Sequence, residues 1–143
     1  MGLKIKLGAR IIENMEAPAT TDYGATKVWE VGDVLTITST KLVKATDSTT
    51  ATMGLAMERR AEPVNGDTSM DGTYHGYGSI LTGEAVVLVD RIASGISFDE
   101  NDAIYVDANG QLTDTGTYIV GCVRKVEDAD GYVEIFWKPP IHS

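Results

Sequence analysis

Apolar residues in this chain come in short alternating runs separated by turn formers. Such a period of two, rich in Val, Ile, Thr and Tyr, predicts half-buried β-strands. Strands are predicted near Lys4–Leu7, Lys27–Val31, Val34–Thr38, Lys41–Lys44, Thr52–Met57, Ser79–Thr82 and Ala85–Val89. Further strands are predicted near Ala103–Val106, Gln111–Thr113, Tyr118–Val126 and Tyr132–Trp137. No window of about 12 residues carries a 3.6-residue period. The best helical candidate, AVVLVDRIASGI, is opposed by its β-branched start and by Gly95.

The turns point the same way. Asn109-Gly110 lies between two strand patterns, as does Asp130-Gly131, and both dipeptides favour type I′ hairpins. The last strand alternates Tyr132, Glu134 and Phe136 with Val133, Ile135 and Trp137, giving a mixed face and an apolar one, and Pro139-Pro140 ends it. An internal echo is visible between GDVLTITSTKLVKATDSTTATMGLAM and NDAIYVDANGQLTDTGTYIVGCVR. Each has an Asp, a strand, a turn leading to Leu42 or Leu112, a polar loop, and a strand holding Gly54 or Gly121. Two similar three-strand units would produce this order, each glycine marking a bulge or a close backbone approach; chance similarity between two meanders is the competing reading.

Two segments break the pattern. Residues 13–26 are polar and hold Pro18 and Gly24, which predicts an extended linker. Residues 60–78, rich in Gly, Asp and Ser, predict a long surface loop. At 143 residues the expected architecture is a mainly β, single-domain body over residues 27–143. That body would be a small β-barrel or β-sandwich-like unit with little helix, preceded by an extended N-terminal arm and linker over residues 1–26.

Charge narrows the function. The net charge is −9, which argues against a protein that neutralises nucleic-acid phosphates. The first twelve residues hold Lys4, Lys6 and Arg10 and no acid, leaving nine basic against 21 acidic residues on the rest. A basic arm on an acidic body suggests that the arm meets something other than solvent; a plainly solvated terminus is the alternative. No apolar run is long enough to span a membrane, and the first residues do not read as a secretory signal. Cys122 is the only cysteine, so no intramolecular disulfide or cysteine cluster can form; it reads as a small buried residue of a chain made in a reducing cytosol.

Catalytic chemistry finds no footing. The two histidines are His75, on the Gly-rich loop, and His142, beside the C-terminus. Neither has a partner identifiable from sequence, and there is no nucleophile elbow, zinc-protease helix or Walker loop. No cofactor is implied. Asp67, Ser69 and Asp71 fall at the first, third and fifth positions of an EF-hand-like loop, making a weak calcium candidate. Gly78 stands where a bidentate Glu is needed. Glycan or peptide binding through Tyr74 and Tyr77 is a further alternative, while Trp29 and Trp137 at strand positions read as core.

The stretch TSTKLVKATDSTTATMGLAME resembles the core of the lambda-type phage head decoration, or cement, proteins: a strand, a K-L-V strand, a polar Asp-Thr-rich loop, and a strand of the form G-[IL]-A. SFDENDAIYVDANGQLTDTGTYIVGCVRKVE resembles related capsid proteins whose repeats read G-D-x-V-Y-x-D, N-G-x-[LV]-T and I-G-x-[AV], with Asn101 in place of the leading glycine. The resemblance covers roughly residues 30–57 and 98–137. It implies a β-tulip-like body, made in the host cytoplasm, that assembles as a homotrimer on the outer surface of an expanded icosahedral head. There it would clamp major capsid protein subunits at local three-fold positions against the pressure of packaged DNA. In that family the N-terminal arm adds to shell strands. Here that role would fall to Leu3, Lys4, Ile5, Lys6, Leu7, Arg10, Ile11 and Ile12, whose apolar–basic alternation suits β-augmentation. A tail-tube or head-fibre protein built from similar units is the runner-up, followed by a non-catalytic module for glycan, peptide or calcium.

Overall fold

Val, Ile and Leu at alternate positions build eleven strands and no α-helix among the described residues. The computed structural model describes residues 3–7, 11–16, 27–38, 41–46, 53–60, 77–126 and 128–139. The strands are β1 (Leu3–Leu7), β2 (Ile11–Glu16), β3 (Val34–Thr38), β4 (Lys41–Lys44), β5 (Met53–Ala56) and β6 (Tyr77–Leu81). They continue with β7 (Ala85–Val89), β8 (Ala103–Val106), β9 (Leu112–Thr113), β10 (Gly121–Lys125) and β11 (Val133–Trp137). Strands β2-β4-β3-β5-β6 close into a barrel, and β1-β7-β11-β10-β8-β9 form a six-stranded sheet.

Without β1, the second sheet repeats the first: β7-β11-β10-β8-β9 has the connectivity of β2-β6-β5-β3-β4. The register agrees residue by residue. Val34 pairs with Leu55 and Leu35 with Gly54, as Ala103 pairs with Cys122 and Ile104 with Gly121. Ile37 pairs with Leu42 as Val106 pairs with Leu112. Leu55 pairs with Leu81 as Cys122 pairs with Phe136, and those partners pair with Ile11 and Val86. Both sheets also curl to the same closure, a parallel pairing of Glu16 with Lys41 in one and of Ile92 with Leu112 in the other. The internal echo is therefore structural, and it extends from three strands to five.

Local chemistry repeats as well. Asp33 accepts a hydrogen bond from the Glu30 amide at 2.9 Å, as Asp102 does from the Asp99 amide at 2.8 Å. Gly32 and Asn101 occupy the same place in these turns, with φ of 95° and 70°. Asn, unlike a β-branched residue, tolerates that left-handed conformation, so the change from glycine keeps the turn. A Cβ on Gly54 would meet Ile80 Cβ and the Leu81 carbonyl, each at 2.9 Å; one on Gly121 would overlap the Phe136 carbonyl. Each glycine marks the closest approach of neighbouring strands.

One core serves both units. Val34, Met53, Leu55 and Leu81 from the barrel pack in one cluster with Val87, Ile104, Val123, Ile135 and Trp137 from the second sheet. Trp29 lies in a smaller cluster with Leu35, Leu42, Ala56 and Ile80, so both tryptophans are core.

Several expectations need correction. The segment expected as a linker from residue 13 begins inside β2, whose Ile11, Ile12, Met15 and Glu16 pair with β6 across an irregularity between Ile12 and Met15. Lys27–Val31 is not a strand; it makes one bridge, Trp29 to Arg60, and then turns. Tyr118–Val126 is strand only from Gly121 to Lys125. The two hairpins are not type I′, which needs positive φ at both central residues: Gly110 and Gly131 have φ of 74° and 84°, whereas Asn109 and Asp130 do not. Instead Asp107 Oδ1 accepts from the amides of Asn109 and Gln111, and Asp128 Oδ1 from those of Asp130 and Tyr132. Short acidic side chains stabilise such Asx turns by local hydrogen bonding.

Candidate functional site

The N-terminal strand is the element that the duplication does not explain. β1 lies antiparallel on β7, with Leu3 opposite Val89, Lys4 opposite Leu88, Ile5 opposite Val87 and Leu7 opposite Val86. Its lysines are engaged with the chain's own body. Lys6 Nζ stands 2.5 Å from Glu134 Oε1, and Lys4 Nζ lies 4.4 Å from the centre of the Tyr132 ring. Glu134 is 4% exposed on the central strand β11, with Arg124 Nε at 3.9 Å from its other oxygen. The Lys6 hydrogen bond, ahead of the desolvation that opposes it, holds the Glu134 carboxyl below its ordinary range. Leu3 packs against the shared core. The alternation that suggested a strand for a foreign edge is thus also the pattern that seats β1 on its own sheet.

Among the described residues β1 ends the six-stranded sheet, and its outer main-chain edge carries no strand. β2 differs, since it lies within the closed barrel between β6 and β4. Its pairing with β4 on the side opposite β6 is the parallel one of Glu16 with Lys41. Leu3, Lys4, Ile5, Lys6 and Leu7 fall in β1 and Ile11 and Ile12 in β2, so the expected binding residues belong to two strands of two sheets. Arg10 lies outside the described residues, as do Asp67, Ser69, Asp71, Tyr74, His75 and His142.

The other charged cluster joins the two units. Asp33 is fully buried; its Oδ1 accepts from Arg91 Nε at 2.8 Å, and Lys44 Nζ lies 3.9 Å from its Oδ2. The Asp33 hydrogen bond raises the affinity of the Arg91 guanidinium for its proton. Beside it the Val34 amide donates to the Gly110 carbonyl at 2.8 Å, so the β8–β9 turn also meets the first barrel. Sequence reading did not single out Asp33, Arg91 or Glu134. The echo's repeated Asp was the available signal for Asp33, and a Glu inside an otherwise apolar last strand was the signal for Glu134.

No group of three or more His, Cys, Asp or Glu side chains is placed to hold a metal among the described residues. Cys122 is half-buried in β10. A cavity of about 400 Å³ opens between the segment after β7 and the β10–β11 hairpin. Its lining includes Ile92, Ile96, Phe98 and Val133, with Asp90 and Ser97 the polar side chains. That is short of the convergent polar groups that orient a small ligand. No helix among the described residues is long and apolar enough to cross a membrane. Compared with protein-family models, curated proteins and solved structures, the chain matches none.

Proposed function

We propose that this chain is a non-catalytic structural protein of a phage particle. In this reading it binds the outer surface of the expanded head as trimers and cements major capsid subunits against internal DNA pressure. The observation that carries the reading is a coincidence of two results. The stretches that resemble head decoration and capsid proteins, around 30–57 and 98–137, hold equivalent three-strand elements, β3–β5 and β8–β10, in matching register.

A barrel and a second sheet of the same connectivity share one core cluster, which suits a protein whose work is adhesion. The N-terminal segment Leu3–Ile12 is the binding element of this proposal. Among the described residues β1 offers an open main-chain edge to a neighbouring subunit, and many symmetric copies add avidity to each contact. Electron cryo-microscopy of the particle encoded with this chain tests the reading. Density for the chain at three-fold or pseudo-three-fold positions of the shell is expected. Finding the chain in the tail, or nowhere on the particle, would overturn the proposal.

A further inference from the structure

The repeat sets a buried arginine in one unit against a cavity at the matching place in the other. In the first unit Arg60 is 1% exposed and bridges to Trp29. Its guanidinium carbon lies 5.9 Å from the centre of the Trp29 ring, and its Nη1 donates to the Lys27 carbonyl. The equivalent turns at Asp33 and Asp102 fix the correspondence, so Trp29 matches Phe98 and Lys27 matches Ile96. Both counterparts line the cavity of about 400 Å³ beside the β10–β11 hairpin. On the other side, Ala56 pairs with Ile80 as Val123 pairs with Ile135. Arg59 therefore matches Val126, which also lines the cavity, and Arg60 matches Glu127. The second unit keeps the surroundings of the seat and carries no arginine at that position of its sequence; Glu127 itself lies outside the described residues.

We propose that this cavity is a socket for an arginine side chain of a different protein. Its lining suits a guanidinium on a long stem. Phe98 supplies an aromatic ring at the position of Trp29, and a guanidinium is attracted to such rings. Asp90 supplies a carboxylate, the charge that an arginine fork binds best. Ile92, Ile96 and Val133 give the aliphatic stem apolar wall. Two polar side chains are too few to orient a free small molecule, so the guanidinium comes on a protein anchored elsewhere. A second copy is a poor donor. Among the described residues Arg59 pairs with Glu30, Arg60 is buried, Arg91 pairs with Asp33, and Arg124 lies 3.9 Å from Glu134, so each is engaged with its own body.

The test uses the full-length, isotope-labelled chain and blocked tripeptides with arginine, lysine or norleucine between glycines. In nuclear magnetic resonance titrations the arginine peptide is expected to shift the amides of Ile92, Ile96 and Phe98 saturably. It should bind at least about fivefold more tightly than the lysine peptide, because a planar guanidinium and a compact ammonium are not interchangeable. Asp90→Asn, at an exposed position, is expected to weaken binding at least about threefold with the circular dichroism spectrum retained. Glu127→Arg places an arginine where the first unit has Arg60, and it should raise the melting temperature and abolish the peptide's effect. Equal binding of the arginine and lysine peptides, shifts that lie elsewhere or fail to saturate, or an Asp90→Asn chain that binds as before would overturn the inference. So would a folded Glu127→Arg chain that still binds the peptide. Self-association that the arginine peptide disperses would assign the donor to a second copy and overturn the choice of partner. The socket is measured on the isolated chain, so its failure leaves the head reading untouched, and a chain found in the tail leaves the socket standing.

Discussion

Glu134 shows how one buried carboxylate anchors the first strand. Its side chain is covered by Lys6 and Arg124, whose own side chains are about half exposed, so the pair sits just beneath solvent and is partly screened. Lys6→Met leaves Arg124 at 3.9 Å as the nearest cation, and a loss on the order of 1 kcal/mol is expected. The sign with pH follows from the lowered Glu134 value. The ionised pair contributes stability above the unfolded carboxyl's range, and that contribution is lost as pH falls through the lower folded value. Denaturation midpoints measured from neutral to acid pH should therefore converge for wild type and Lys6→Met at the acid end. A gap that persists or widens in acid would contradict the ion-pair account. Asn101, with φ of 70°, pays a conformational cost that glycine would not. Asn101→Gly is expected to change stability by less than about 1 kcal/mol, whereas Asn101→Val should cost more than that, both read from urea melts.

At the scale of elements, the strand-to-strand approach at Gly121 is the tightest point of the fold. A methyl there would drive into the Phe136 carbonyl, which belongs to the sheet backbone and cannot rotate aside. Gly121→Ala is expected to cost about 3 kcal/mol or more, and Gly54→Ala, meeting Ile80 and Leu81 at 2.9 Å, about 1–3 kcal/mol. Equal and negligible losses in thermal melts would show that the sheets relax freely at both points. These glycines were legible from the echo, as were most strands, because alternation of apolar residues survives in Val34–Thr38, Ala103–Val106 and Val133–Trp137. β2 was not legible. IIENME mixes acidic and apolar residues, and its strand state depends on β6, a partner more than sixty residues away. Lys27–Val31 fails for the opposite reason: its residues favour strand, but among the described residues only Trp29 makes a β-bridge there. The turn type was misread because Asp107 and Asp128, two residues before Asn109 and Asp130, cap the turn with their side chains. Of the binding segment, its strand character was legible from alternation. The seating of Lys6 on Glu134 was not, since it joins residues 128 apart.

Across the whole molecule, the question is whether the two repeated units behave as two bodies or one. Repeats that touch only neighbours along a line add their stabilities and can unfold piecemeal. Here the barrel and the second sheet contribute to a single cluster around Leu55, Leu81, Val87 and Ile135, beside a smaller cluster within the first unit. Asp33 and Arg91 tie the units at their junction, and Asp33 has no exposure through which water could replace the guanidinium. Arg91→Ala strands that carboxylate with Lys44 at 3.9 Å, and a loss of about 2–4 kcal/mol is expected. If the units are one cooperative body, that loss appears as a shift of a single unfolding transition, followed identically by tryptophan fluorescence and far-ultraviolet circular dichroism. Trp29 belongs to the first unit and Trp137 to the second, so Trp29→Phe and Trp137→Phe variants report each half separately. Coincident midpoints in both variants, with and without Arg91→Ala, are the expected result. Midpoints that separate only when Arg91 is removed would assign the coupling to the ion pair. Midpoints already separate in the parent chain would show that the shared core does not bind the halves together, and would leave each half as a folding unit of its own.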